Sequence, residues 1–362
     1  MTHPLRLKRV HHIELIVGNA LQAAYFYRKA FGFGQIAYMG PETGTRGRAS
    51  YVVGNDKIRL VLTSPLSHED PRNVFLTLHG DSVKDLAFEV DDADAAYREV
   101  VSRGAETVMP PTEFKDRDGS VTVFAIKTYG DTIHSFVAKD GYGGVFLPGY
   151  RDVERKGADT GLLVVDHVVG NVEDRQMDRW ADWYIRTLGF HQFVSYDDKD
   201  ISTEHSALRS KVMASSPDRR IKLPINEPAT GLKKSQIQEY LDFNVTAGVQ
   251  HVALLTDDIV ATVTRLKENG LDFLHVPESY YDTIWDRVGE IGEDREAIRK
   301  LGILVDRDET GYLLQLFTKP IQDRPTLFFE VIERHGCQSF GKGNFKALFE
   351  SIEREQARRG NL

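Results

Sequence analysis

The sequence predicts an α+β protein built from two tandem copies of one module, each reading as a strand, a helix and then several strands. Three observations carry this. TyrPheTyrArgLysAlaPheGlyPhe (25–33) parallels AspTrpTyrIleArgThrLeuGlyPhe (182–190), with Tyr27 matching Tyr184 and Gly32 and Phe33 matching Gly189 and Phe190, an offset of 157. AspLeuAlaPheGluValAspAsp (85–92) parallels HisValAlaLeuLeuThrAspAsp (251–258), and this offset of 166 still holds from Gly104 to Gly270. Finally, strand signals are dense from Gly311 to Arg334.

The elements follow from local pattern. Met177, Trp180, Ala181, Tyr184 and Leu188 share one helical face that ends at Gly189, a residue suited to a C-terminal cap. A second helix is expected after Asp257 and Asp258. GlyTyrLeuLeuGlnLeuPheThrLysPro (311–320) and ThrLeuPhePheGluValIle (326–332), separated by a turn-like GlnAspArgPro, predict a hairpin with Gln315 on one arm and Glu330 on the other. The glycine-rich stretch 141–150 has the composition of a connection, which divides the chain into an N-terminal domain, 1–150, and a C-terminal domain, 151–362.

Composition bounds the function. A chain of 362 residues exceeds what one core usually supports, and 41% hydrophobic with 28% charged residues is ordinary for a soluble globular protein. The single cysteine, Cys337, excludes an intrachain disulfide and reads as a packing residue in a reducing compartment. No run of about 18 apolar residues occurs, so neither a signal peptide nor a membrane span is expected, and the cytoplasm is the expected location. A net charge of -8 with interspersed signs argues against a nucleic-acid surface.

Chemistry is suggested by His167 in ValValAspHisValValGly, His251 in ValGlnHisValAlaLeuLeu and Glu330 in ThrLeuPhePheGluValIle, each on a strand-like segment. Two imidazoles and one carboxylate suit non-haem Fe(II) with open coordination positions. Taken alone, either histidine favours the reading of a satisfied polar group or a surface residue, and the corresponding reading of Glu330 is an outward-facing side chain. A carboxylate among PhePhe and ValIle would be costly to bury without a cation or hydrogen-bond donors, which favours convergence. In the repeat, His251 falls opposite Asp85 and Glu330 near Phe136, with His12 close to the position of His167, so the first copy lacks a complete set. Ser210, Asn226, Gln236, Gln238, Gln250 and Gln315 add uncharged groups that could orient an anionic or phenolic ligand, in segments read as strand and loop. Singly, each reads as a surface residue.

ProIleAsnGluPro (224–228), SerGlnIleGlnGluTyr (235–240), GlyValGlnHis (248–251), TyrLeuLeuGlnLeuPheThrLysPro (312–320), ArgProThrLeuPhePheGluValIleGluArg (324–334) and PheGlyLysGlyAsnPhe (340–345) together resemble the 4-hydroxyphenylpyruvate dioxygenase family, of the vicinal-oxygen-chelate kind. The resemblance runs from about Val165 to the terminal ArgGlyAsnLeu and is weaker in the first module. It implies two duplicated βαβββ-repeat domains, the second an open barrel closed by a C-terminal helix. It also implies His167, His251 and Glu330 as ligands to one Fe(2+) per subunit. Ser210, Asn226 and Gln236 would orient the ring end of the substrate, and Gln250 and Gln315 would act near the metal. Phe317, Phe340 and Phe345, with Asn344, would complete the pocket. The implied reaction takes 4-hydroxyphenylpyruvate and O2 to homogentisate and CO2, as in tyrosine breakdown, without a separate 2-oxoglutarate. A homodimer or tetramer is implied as well.

Three rivals stand beside this reading. 4-Hydroxymandelate synthase shares the triad, but departs from ProIleAsnGluPro and from the second Gln of SerGlnIleGlnGluTyr, and carries an aliphatic residue where this chain has Phe345. A sequestering protein of the same architecture would not need a complete triad. An extradiol ring-cleaving enzyme would need acid-base residues that the amide-rich motifs do not supply. At the C-terminus, Phe345, Leu348, Phe349 and Ile352 predict an amphipathic helix with Asn344 as its N-cap; it either finishes the core or, as the resemblance implies, gates the pocket about Gly341 and Gly343.

Overall fold

A computed structural model describes residues 5–197, 207–215, 218–229 and 231–361; the N-terminal MetThrHisPro and the terminal Leu362 lie outside the described residues. The first sheet holds β1 (Arg9–Ile16), β2 (Gly34–Met39), β3 (Arg48–Gly54), β4 (Arg59–Pro65), β5 (Ser82–Val90), β6 (Thr107–Asp116), β7 (Gly119–Lys127), β8 (Ile133–Ala138) and β9 (Arg151–Arg155). The second holds β10 (Leu162–Asn171), β11 (His191–Tyr196), β12 (Ala207–Ala214), β13 (Lys222–Ala229), β14 (Gly248–Thr256), β15 (Leu304–Asp308), β16 (Gly311–Phe317) and β17 (Phe328–His335).

Strand order runs β6-β7-β8-β5-β1-β4-β3-β2-β9 in one sheet and β11-β12-β13-β10-β14-β17-β16-β15 in the other. The repeat is therefore deeper than the sequence suggests. Each sheet is itself two βαβββ units, joined through the antiparallel pairs β1 with β5 and β10 with β14. Each curls into a half-barrel, which makes this the expected α+β fold of two tandem modules with a C-terminal helix, Phe345–Arg358. Strand β9 pairs with β2, so the first sheet takes in residues just beyond the expected division at 150.

Most expected elements are where the pattern puts them. The helix beginning at Met177 is α-helical to Trp183 and closes with a π-turn over Tyr184–Leu188, capped by Gly189 at φ 66°. Its counterpart in the first module ends at Gly32, φ 71°. A helix spans Ile259–Glu268 with Asp258 accepting from the Ala261 N–H as its N-cap. The hairpin forms with Phe317 opposite Glu330. Gln236 and Gln238 differ: they open a helix, Gln236–Asn244, because Ser235 caps it and Ile237, Tyr240 and Leu241 need one buried face.

The modules interlock through equivalent residues. Tyr184 donates to the ring of His134 on β8 at 2.7 Å or accepts from it, while its counterpart Tyr27 packs edge-on against Phe329 on β17, ring centroids 5.9 Å apart. Each module's first helix thus contributes an aromatic residue to the other's sheet, and one continuous apolar core spans both.

Pairing register aligns the two interiors. His12 sits opposite Ala87 as His167 sits opposite Ala253, so His12 occupies the position of His167. Asp85 occupies that of His251, as the repeat indicated. Glu330 lies opposite Ala253, and the β5–β8 register, Asp85 with Ile133 and Phe88 with Phe136, puts Ser135 rather than Phe136 at its position. The slip of one residue matters because neighbouring strand residues face opposite sides. Here the Asp85 carboxylate accepts from the Ser135 N–H at 2.9 Å, and Phe146 from the connecting stretch packs against His11 and His12. The first half-barrel is plugged with an aromatic ring, and burial pushes the His12 pKa down to about 3.

Burial, together with the nearby Glu14 carboxylate, raises the Asp85 pKa to about 7 despite the hydrogen bond from Ser135. A folded-state pKa above the unfolded one favours folding at low pH, and that contribution is lost as pH rises from about 4 through 7. Asp85→Asn, which cannot ionise, should therefore gain stability relative to the wild type between pH 5 and pH 8, by on the order of a few kcal/mol. Urea unfolding of both proteins at the two pH values measures it; a gap independent of pH would contradict this account.

Candidate metal centre and pocket

Two β-bulges build the centre. Between Val165 and His167 the β10–β14 register slips by one residue, and it slips again between Val169 and Gly170, where Gln250 is the extra residue on β14. In a regular strand Asp166 and His167 would face opposite sides; a bulge turns the extra residue towards its neighbour's side. The Nδ1 of His167 lies 2.8 Å from Asp166 Oδ2, and the Nδ1 of His251 lies 3.0 Å from Gln250 Oε1. An oxygen partner at Nδ1 makes that nitrogen the N–H donor and leaves Nε2 as the lone-pair face, the tautomer a metal requires.

Both Nε2 atoms point at Glu330, which extends from β17 alongside β14. His167 Nε2 is 3.1 Å and His251 Nε2 is 3.4 Å from Glu330 Oε2. All three residues are buried, and their ligating atoms lie within 4.8 Å of one another. Burial alone would raise the Glu330 pKa, but the two imidazoles outweigh it and bring the value down to about 2. Burial also lowers the pKa of His251. For His167 burial is outweighed by the carboxylates of Glu330 and Asp166, and its pKa rises. Glu330 is thus an anion at neutral pH, and among the described residues no fourth His, Cys, Asp or Glu joins the group. Three donors on one side fit a divalent metal and leave its other side open to ligands. A second cluster, Glu293, Glu333 and His335, lies outside the barrel with His335 exposed and already shared between both carboxylates.

The triad opens into a cavity between the half-barrel and the C-terminal helix. Ser210 and Asn226, cross-strand partners on β12 and β13, line it together with Gln236 and Gln250. Phe317, Phe328, Phe340 and Phe345 supply an aromatic wall, and Leu348, Phe349 and Ile352 of the C-terminal helix close the top. The Phe340 ring lies edge-on to His167 at 5.0 Å, and Phe328 stacks on His251 at 4.8 Å.

Two expected pocket residues stand behind the wall. Gln315 is buried on β16 but does not line the cavity; its amide packs under Gly341, where a Cβ would come within 2.5 Å of Nε2. Asn344 precedes the C-terminal helix without a side-chain cap bond, because its Oδ1 instead accepts from Tyr280 at 2.7 Å and faces Arg287. Gln238 points outward and donates to Asp242. Cys337 is buried, its thiol donating to Asp308. Sequence reasoning missed Asp166, Tyr196, Leu208 and Phe328. Asp166 was legible by the argument that singled out Glu330, a carboxylate inside an apolar strand; the others carry no signal apart from apolar alternation.

A buried two-histidine, one-carboxylate cluster that could hold a metal, inside a βαβββ-repeat half-barrel, places the chain in the vicinal-oxygen-chelate class. Consistent with this, the model of the Glyoxalase/Bleomycin resistance protein/Dioxygenase superfamily matches residues 9–125 and 164–316. The chain is 49% identical over 380 residues to a 4-hydroxyphenylpyruvate dioxygenase of Aspergillus fumigatus, covering 98% of this chain and 94% of the relative. It is 46% identical to that of Dictyostelium discoideum, covering 97% and 99%. Among solved structures, a triple mutant of 4-hydroxymandelate synthase from Streptomyces coelicolor superposes with TM-score 0.87 at 31% identity, covering 97% of this chain and 99% of that one. The chain belongs to the 4-hydroxyphenylpyruvate dioxygenase family.

Replacing Glu330 with Ala should remove metal binding, a loss beyond the roughly 100-fold that changes outside the ligand set produce. Anaerobic calorimetric titration with Fe(II), with circular dichroism to establish folding, measures it. A folded variant that binds as tightly as the wild type would exclude Glu330 as a ligand.

Proposed function

We propose that this protein is an Fe(II)-dependent dioxygenase that converts 4-hydroxyphenylpyruvate and O2 into homogentisate and CO2. The observation that carries the reading is the triad His167, His251 and Glu330 facing a pocket lined by amides and phenylalanines. The near-full-length similarity to curated dioxygenases supports the same substrate. Held by His167, His251 and Glu330, Fe(II) would accept the 2-oxo acid as a chelating ligand and supply the redox chemistry of oxygen activation. The atoms balance: one oxygen of O2 enters the new carboxylate as CO2 leaves, and the other becomes the new ring hydroxyl, with migration of the side chain.

The protein's own part is orientation and exclusion of water. Ser210, Asn226 and Gln236 offer neutral donors and acceptors that would hold the phenol without competing for the metal. Gln250 accepts from the His251 ring and so would keep Nε2 free for the metal. Phe317, Phe340 and Phe345 would fix the ring near the metal, where a displacement of about 1 Å costs as much as 100-fold in rate. Water kept out by the C-terminal helix protects reactive states from side reactions. The amide of Gln315, behind the wall, would support Gly341 and thereby the start of that helix. A cytoplasmic homodimer or tetramer is the assembly and location this reading favours. The single buried cysteine fits a reducing compartment, and no described helix is long and apolar enough to cross a membrane.

The mandelate-forming alternative shares the metal site and is approached in fold by the synthase mutant. Phe345, which packs edge-on to Tyr196 at 5.1 Å on the pocket wall, should discriminate the two outcomes. Iron-loaded protein should release homogentisate and CO2 in equal amounts, and Phe345→Ile should divert part of the product to hydroxymandelate. Chromatography with mass detection decides: hydroxymandelate from the wild type would overturn the product assignment, and unchanged ratios in the variant would remove Phe345 from it.

A further inference from the structure

Arg334 makes contacts on both sides of a boundary. On one side its guanidinium forms a fork with Asp166, Nε to Oδ1 and Nη2 to Oδ2, both at 2.9 Å. Asp166 is the partner of His167 Nδ1. On the other side Nη1 donates to the carbonyls of Cys337 at 3.2 Å and Ser339 at 2.6 Å. Those carbonyls belong to the strap that leads from β17 to the C-terminal helix. The guanidinium also lies over the ring of Phe340, 5.3 Å from its centroid, and Phe340 in turn packs on His167. The strap's N–H groups are held separately: Gln338 and Ser339 donate to Asp308, and Gly343 donates to Asp306. Lys222, at 3.2 Å, also meets Asp166 but makes a single contact with its Oδ1.

We infer that Arg334 is a positioning residue that couples the orientation of the metal ligand His167 to the docking of the strap and the helix that closes the pocket. This rests on the reading of His167 as a metal ligand. The planar fork is what permits both attachments at once. A lysine has the charge but no planar fork, so it can hold Asp166 or the strap carbonyls but not both in this geometry. Coupling of this kind is reciprocal: if a seated strap steadies His167, a metal on His167 must steady the strap by the same free energy. An ion pair that merely stabilised the fold would give no such reciprocity.

The test uses full-length protein and Co(II) as a redox-inert probe. Amide hydrogen exchange across 337–345 and Co(II) affinity are measured for the wild type, R334K, R334M and H251A. Co(II) should slow exchange in the wild type. In R334M affinity should fall by roughly 10- to 100-fold, the range for losing an outer-shell partner, and at saturating Co(II) the metal-induced protection should vanish. R334K should lose most of that protection with a smaller loss of affinity, and it carries the test if R334M does not fold. Wild-type affinity and protection in the Arg334 variants would overturn the coupling alone. Wild-type protein that binds Co(II) no better than H251A would overturn the metal reading and the coupling with it.

Discussion

Everything in the second half-barrel answers to the burial of one charge. Glu330 is 2% exposed, between Phe329 and Val331 on a central strand. A carboxylate there forfeits several kcal/mol of hydration unless positive charge or strong donors are built around it. In the metal-free protein a protonated imidazole facing Glu330 provides that compensation, and on the proposed reading a metal takes the proton's place. The imidazoles must present the right nitrogen, which requires oxygen partners at their far side, and those partners must come from adjacent residues in strands whose geometry would normally send them away. The bulges at Asp166 and Gln250 resolve this conflict.

The first module shows the same backbone without the same chemistry. Its β1–β5 pair slips at His11 and again at Lys84, the positions equivalent to Asp166 and Gln250. The bulges are therefore a property of the repeated scaffold, and the side chains decide what each half-barrel does. In one, His12 pairs with His11, Asp85 with a backbone N–H and Phe146 fills the interior. In the other, the same positions converge on a cavity. Closely similar strand orders thus carry a plug in one module and a candidate reaction site in the other, which is why fold alone does not establish function.

Much of this was legible in the sequence, for reasons specific to each residue. The duplication, the helix ending at Gly189 and the hairpin carrying Glu330 depend on local periodicity and turn chemistry, which sequence displays directly. The triad was legible because a carboxylate among aromatic and branched residues conflicts with burial. Gln236 was misplaced in strand and loop because its helix depends on packing against the C-terminal helix, a contact over a hundred residues away. Asn344 was assigned a cap because Asn commonly caps helices, whereas Tyr280 and Arg287 claim its side chain. The position of Ser135 depends on register, which a repeat offset fixes only to within a residue or so. Asp166 carried the same signal as Glu330, a carboxylate in an apolar strand, but its role at His167 depends on a bulge, and Arg334 escaped because its pairing spans 168 positions.

On the proposed reading the bulges present His167 and His251 to one metal through Nε2, together with Glu330 and no other protein ligand. An anaerobic crystal structure of the Fe(II)-loaded protein should then show a single iron bound by His167 Nε2, His251 Nε2 and a Glu330 oxygen, with Asp166 and Gln250 still on the Nδ1 atoms and the remaining coordination positions facing the pocket. Iron held through Nδ1, by a fourth side chain, or at Glu293, Glu333 and His335 instead would contradict it.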